Sequence, residues 1–286
     1  MTIVAAPGKE VIKTASFHNT ERSEVNLQYL PQPDFLEFNL PETHIALLTN
    51  EGTLLTTEVV KALEAKGNKV VVLNLEKEIS STHKNQLTLD ATEDEAIANA
   101  LKTIEEKYGK VGTFIHLHPY LEVQCGNFAQ HFQRDKNLVK AVFLFAKHLQ
   151  APLNELSKQQ RASFLTVSRL DGQLGLGKRG NVSVVGGGLT GLIKSLNLEW
   201  SPVFCRAVDI QPELSSTDIA DKIVAELHDA DLNVVEVGIS KEGRQTIEAT
   251  PVEVKEHQEI ETSVTSESVF LVSGGARGVT ATCVVE

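Results

Sequence analysis

The chain has 286 residues, 41% hydrophobic and 23% charged, enough for one large core or two small ones. Its formal net charge of -11 excludes the clustered basic footprint of a nucleic-acid binder and the polybasic face that docks on an anionic membrane. No apolar run reaches the ~18 residues that span a bilayer, and Met1–Phe17 lacks the basic-then-apolar order of a secretory signal, so the expected location is cytoplasmic. Cys125, Cys205 and Cys283 are odd in number and far apart, which fits free buried thiols rather than a disulfide framework or a metal site.

Residues 1–40 read as a linker, because Pro31, Pro33 and Pro41 prevent a continuous helix; a short edge strand is expected at Asp34–Leu40. From 41 to 250 strands and helices alternate. His44–Thr49 is a short apolar run and reads as a strand. Thr56–Lys66 carries Val59, Val60 and Leu63 at helical spacing and ends at Gly67-Asn68. Lys69–Leu75 is β-branched and reads as a strand. Thr92–Tyr108 places Ala96, Ile97, Ala100, Leu101 and Ile104 on one helical face, with acidic residues in the first turn where the helix dipole favours them. Thr113–His118 is a third strand, Asn137–Leu149 a helix, Ala162–Ser168 a fourth strand and Leu189–Trp200 a helix stopped by Pro202. Phe204–Ile210 is a fifth strand, Thr217–His228 a helix, and Val234–Ile239 with Arg244–Ala249 a closing strand pair. This alternation predicts an α/β fold: a Rossmann-like parallel sheet with helices on both faces and right-handed crossovers.

Residues 251–267 are acidic and polar and read as a linker. The segment 268–286 then runs from an apolar strand, Val269–Val272, into Ser273-Gly274-Gly275-Ala276-Arg277-Gly278-Val279-Thr280. Glycines let the backbone turn tightly against a pyrophosphate, whose charge the free N–H groups of the following helix bind. Ser273, Gly274, Gly275, Arg277, Gly278 and Val279 are therefore the candidate cofactor-binding residues, and Arg277 suits the 2′-phosphate of NADPH. Only eight residues follow Gly278, fewer than the ~12–15 of a stable isolated helix, and the neighbouring strands of a cofactor crevice are not among them. The fingerprint is expected to act only within a complete domain.

The region 41–250 has no such turn of its own. Its first strand runs into Thr49-Asn-Glu-Gly-Thr53, where Glu51 would set a negative charge against a pyrophosphate. His116 and His118 alternate on a strand and share a face, and without a third ligand they read as satisfied histidines rather than a metal site. His44, His131 and His148 are scattered. Gly172–Gly188 reads as a flexible glycine-rich loop, and Phe143, Phe145 and Trp200 as core.

The turn at Ser273–Thr280 resembles that of short-chain dehydrogenases/reductases: Ser273 stands for the Thr, Gly274 and Gly278 match, and Thr280 replaces the last glycine. The helix from Gly187 to Trp200 resembles the active-site helix of that family, in which a Tyr donates a proton and a Lys four residues later lowers its pKa. The matching positions here are Val182 and Gly186, so no catalytic residue is expected; Ser168 lies near the family's Ser and reads as a turn residue. A Rossmann unit without these groups, a polar linker and then a glycine fingerprint is the layout of the ketoreductase domain of polyketide and fatty acid synthases. Gly187–Asp209 and Val272–Thr280 look most like the bacterial polyunsaturated fatty acid branch.

The resemblance implies a non-catalytic structural half. The complete domain would reduce a β-ketoacyl chain on acyl carrier protein to β-hydroxyacyl with NADPH, and this portion would hold no cofactor alone. The implied partners are the catalytic subdomain of the same polypeptide and the acyl carrier protein. Two other readings compete: an independent small-molecule or nucleotide-binding module using Thr49–Thr53 and Gly172–Gly188, and an active dehydrogenase with an unusual site, against which the missing Tyr and Lys count.

Overall fold

A computed structural model of the chain describes residues 22–77, 79, 82–89, 92–120, 128–177, 184–200, 202–252, 265, 267–273 and 281–282. The chain divides into two compact units, one of residues 25–249 and one of residues 1–24 with 250–286.

The strands are β1 (Ser23–Tyr29), β2 (His44–Thr49), β3 (Val70–Asn74), β4 (Gln86–Thr88), β5 (Lys110–Leu117), β6 (Ser163–Ser168), β7 (Phe204–Ile210), β8 (Glu236–Ser240) and β9 (Gly243–Pro251). They form a nine-stranded sheet of order β1-β9-β8-β7-β6-β5-β2-β3-β4. From β4 to β8 every pairing is parallel, and β8 pairs β9 antiparallel. Counted from β2, the parallel run has the order 3-2-1-4-5-6-7, a doubly wound sheet. Its switch point lies between β2 and β5, where successive crossovers turn to opposite sides.

The helices are α1 (Leu54–Ala65), α2 (Asp94–Tyr108), α3 (Phe128–Ser157), α4 (Gly187–Glu199) and α5 (Ser216–Leu227). Side chains alternate across a strand, so the sheet feeds two cores. On one face Ile45, Leu47, Phe114 and Phe164 pack with residues of α2, α3 and α4, including Ile97, Ile104, Phe145 and Ile193. On the other, Leu48, Ile115 and Leu165 pack with Val59 and Leu63 of α1 and Ile219 and Ile223 of α5. Parallel strands covered on both faces are buried and rich in apolar residues: β2 and β3 are apolar except for His44, Thr49 and Asn74, and β6 buries Phe164, Leu165 and Val167 together with Ser163, Thr166 and Ser168. Thr53 caps α1 by accepting from Leu55 N–H, and Ser215 caps α5 by accepting from Asp218 N–H.

Several elements differ from expectation. The edge strand lies at Ser23–Tyr29, within the expected linker, while Asp34–Leu40 supplies only the bridge of Phe35 to Asp229. The outermost strand alternates Val25, Leu27 and Tyr29 with Glu24, Asn26 and Gln28, the period of a strand, although it is exposed along nearly its whole length. The three-residue β4 is too short to show a period. Helix α3 runs well beyond Asn137–Leu149 and accommodates Pro152. Val269–Val272 carries no strand and is exposed: apolarity favours a strand but supplies no neighbouring backbone to pair with. Phe145 and Trp200 are core, but Phe143 is 56% exposed, because adjacent turns of α3 present it away from the sheet.

Candidate functional site

In a doubly wound sheet ligands bind outside the carboxyl ends of the strands at the switch point. Here that place is built from Thr49 at the end of β2, His116 and His118 at the end of β5, Ser168 at the end of β6 and Asp209 near the end of β7. Asn50, Glu51, His116, His118, Ser168 and Asp209 are all buried.

A chain of polar contacts crosses the switch point. Thr49 Oγ1 lies 2.9 Å from His116 Nδ1 and accepts a hydrogen bond from Leu117 N–H at 2.9 Å. His116 Nε2 lies 3.2 Å from His118 Nδ1, and His118 Nε2 faces Asp135 Oδ1 of α3 at 3.6 Å. One direction satisfies the first links with neutral rings: Thr49 donates to His116, and His116 donates to His118. Burial, and then the neighbouring His118, hold the His116 pKa well below the usual histidine value.

Beside it, the β2–α1 turn is filled by its own side chains. Asn50 Nδ2 donates to Asn74 Oδ1 at 2.9 Å, and Asn74 Nδ2 donates to Thr88 Oγ1 at 2.9 Å. Asn50 Oδ1 accepts from Gly52 N–H at 3.0 Å, and Glu51 Oε1 accepts from Thr53 N–H at 2.9 Å and from the Thr53 hydroxyl. Gly52 takes φ +90°, the left-handed conformation that lets the turn fold back. Backbone N–H groups that would cradle a phosphate are thus spent on Asn50 and Glu51, and the Glu51 carboxylate is buried there. These residues do not fit a dinucleotide pyrophosphate.

The described part of Gly172–Gly188 is not a loose loop. Asp209 accepts from the N–H groups of Leu170 at 2.7 Å, Gly172 at 2.9 Å and Leu174 at 3.0 Å. Asp171 accepts from those of Gln173, Gly175 and Gly177 at 2.7, 3.0 and 2.8 Å. Two buried carboxylates therefore organise the segment, which corrects the expectation of flexibility drawn from glycine content. Burial raises the Asp209 pKa to about 7, with Asp171 adding to the shift and the backbone donors opposing it. Gly172 (φ +72°) and Gly238 lock the segment to β8. A Cβ on Gly172 would lie 2.3 Å from Ile239 O, and one on Gly238 would lie 2.5 Å from Gly172 O. Ser168 is a buried strand residue whose hydroxyl reaches Asp209 Oδ1 at 3.5 Å.

At the start of α4, Gly186 is buried in a 3-10 turn, Val184–Gly186, and Val182 lies outside the described residues. Of the candidate cofactor residues, Ser273 is an exposed turn residue, and Gly274, Gly275, Arg277, Gly278 and Val279 lie outside the described residues, as do Cys125 and Cys283. Cys205 is a buried free thiol whose pKa burial pushes up to about 12. Among the described residues no group of three or more His, Cys, Asp or Glu is placed to hold a metal ion, and no helix is long and apolar enough to cross a membrane.

Sequence reasoning also passed over a buried ionic cluster. Arg206 donates to Glu226 Oε2 at 2.5 Å and to Asp229 Oδ2 at 3.0 Å, and Arg244 donates to the same two carboxylates at 2.6 and 2.5 Å. The signal was present: Arg206 and Asp209 are the charged residues of an otherwise apolar strand, and a buried strand carries charge only where partners meet it.

Residues 55–233 match the sequence profile of the family described as enoyl-(acyl carrier protein) reductase, whose fold is that of the short-chain reductases. The chain belongs to this family. Over 293 aligned residues, 96% of the chain, it is 29% identical to a polyunsaturated fatty acid synthase protein of Thraustochytrium sp. (strain ATCC 26185 / S-3), one component of that multienzyme, and spans only 10% of that protein's length. Among solved structures it resembles an adenylation, ketoreductase and pseudo-Asub multidomain structure of a keto acid-selecting NRPS module, with TM-score 0.61 and 12% identity over 81% of this chain and 18% of that one. It also resembles a 3-ketoacyl-(acyl-carrier-protein) reductase from Brucella melitensis complexed with NADH, with TM-score 0.53 and 20% identity over 68% of this chain and 95% of that one. At these identities the structural likenesses establish the fold.

Proposed function

We propose that this chain is the structural, non-catalytic half of a synthase ketoreductase. In the complete domain NADPH would deliver hydride to the β-carbonyl carbon of an acyl chain on acyl carrier protein, and a proton would complete the β-hydroxyl group. The family and the relative in a polyunsaturated fatty acid synthase support the reaction class. The observation that carries the assignment of this half is the switch point: Thr49–His116 and the Asn50–Glu51–Asn74 cluster take up the place where a short-chain reductase seats its cofactor. The cofactor would instead meet Ser273, Gly274, Gly275, Arg277, Gly278 and Val279 within the catalytic subdomain of the same cytoplasmic polypeptide.

The test is an NADPH fluorescence titration of this chain beside a chain extended through the catalytic subdomain. Saturable binding confined to the extended chain is the expected result. Tight binding by the present chain, abolished by changes in Thr49–Thr53, would overturn the proposal.

A further inference from the structure

The edge of the sheet at β1 plays no part in the proposed function. β1 is the outermost strand and lies against β9, and among the described residues nothing pairs with its outer edge. Leu30 N–H donates to Arg244 O at 2.8 Å, and Val252 N–H donates to Arg22 O at 2.9 Å. Successive backbone groups of a strand point to opposite edges, so the even-numbered residues of β1 address β9, while Val25, Leu27 and Tyr29 direct their N–H and C=O groups outward. We propose that this edge pairs antiparallel with the same edge of a second copy of the chain, in the register that sets Asn26 opposite Asn26 of the partner subunit.

The first ground is the match between backbone and side chains. The residues with outward backbone groups are also the apolar ones, because both properties alternate along β1 with a period of two. Val25 and Tyr29 are 55% and 63% exposed. Pairing about Asn26 exchanges two hydrogen bonds between Val25 and Leu27 of the partner subunit, and two more between Leu27 and Val25 of the partner subunit. The apolar side chains of both copies then fall on one face and cover one another.

The second ground is what the edge lacks. Exposed edges are blunted by proline, by lysine or by extreme shortness. The opposite edge strand, β4, has three residues, whereas β1 has seven and holds no proline, lysine or arginine. The third ground is charge and symmetry. Glu24 is the charged residue of β1, and in this register it faces Gln28 of the partner subunit, so the two carboxylates stay apart. The pairing is isologous and consumes the edge, so assembly stops at two copies.

The experiment is sedimentation equilibrium of the full chain over a series of concentrations, joined to disulfide trapping. A reversible monomer–dimer equilibrium is expected. Leu27→Pro removes an outward N–H that β9 does not use, and should weaken dimerisation by roughly tenfold while the circular dichroism spectrum is retained. Asn26→Cys sets two thiols across a non-hydrogen-bonded pair, where Cα atoms lie about 4.5 Å apart, within disulfide reach. Under mild oxidation it should give a covalent dimer roughly tenfold faster than Gln28→Cys or the wild type, because residue 28 has residue 24 opposite it rather than its own counterpart. A monomer at every concentration, a dimer undiminished in a folded Leu27→Pro, or equal trapping of Asn26→Cys and Gln28→Cys would overturn the proposal.

Discussion

Thr49 and His116 meet at 2.9 Å across the point where the strand order reverses, joining the ends of β2 and β5 by a buried side-chain contact. The same hydroxyl accepts from Leu117 N–H, so one threonine satisfies a backbone donor and fixes a histidine ring. Thr49→Val keeps the shape and removes the oxygen. It leaves Leu117 N–H without its acceptor and should lower the unfolding free energy by about 1–3 kcal/mol. Urea denaturation followed by circular dichroism checks this, and a cost below a few tenths of a kcal/mol would show that the contact is dispensable.

His116 also makes stability depend on pH. Its folded pKa is depressed, so the folded state disfavours the protonated ring. Its contribution is fully present above the unfolded value of about 6.5 and is lost as pH falls below that toward the folded value. Asp209, raised to about 7, acts with the opposite sign: its contribution is greatest below the unfolded carboxylate range and is lost as pH rises through about 7. The clean observable is therefore a difference. Between pH 7 and pH 5 the wild type should lose more unfolding free energy than His116→Asn, by denaturant titrations at each pH. Parallel pH profiles would remove His116 as the source.

Arg206 is fully buried and bonded to Glu226 and Asp229. Arg206→Met leaves two buried carboxylates to share Arg244 and should cost about 3–5 kcal/mol. Arg206→Met with Glu226→Met removes one charge of each sign and should recover part of that loss. The denaturation midpoints of the two variants and the wild type test the charge argument separately from packing, and a double variant less stable than the single one would count against it.

Gly238 sits where a Cβ would fall 2.5 Å from Gly172 O, a backbone atom that cannot swing aside. Gly238→Ala should push the 170–177 segment off β8 and cost about 1–3 kcal/mol. At about 2–4 °C per kcal/mol for a unit of this size, the melting temperature should drop measurably. Trypsin cleavage after Arg169 should quicken as the segment loosens, whereas an unchanged melting temperature and cleavage rate would show that the close approach is not needed.

Apart from the short β4, the order of strands and helices from His44 to Ile239 was legible because each buried element advertises its own burial. The interior of β2 and most of β3 are runs of apolar residues, β6 and β7 mix apolar and β-branched residues with polar ones, and α2 repeats its apolar residues at helical spacing. Glu51 in the turn after β2 could be read from residue type alone. What lay beyond reach were relations between distant positions. Thr49 and His116 are 67 residues apart, and only the crossover that sets β5 beside β2 joins them. Glycine content suggested mobility for a segment that Asp209, far along the chain, holds by its backbone. Strand β1 carries the alternation of Val25, Leu27 and Tyr29 with polar residues, but the prolines that follow it gave the whole region the look of a linker, and the partners of Arg206 come from α5 and the turn after it. Periodicity records whether a residue meets the core. Which residue it meets there is decided by topology, through the long-range pairing of strands.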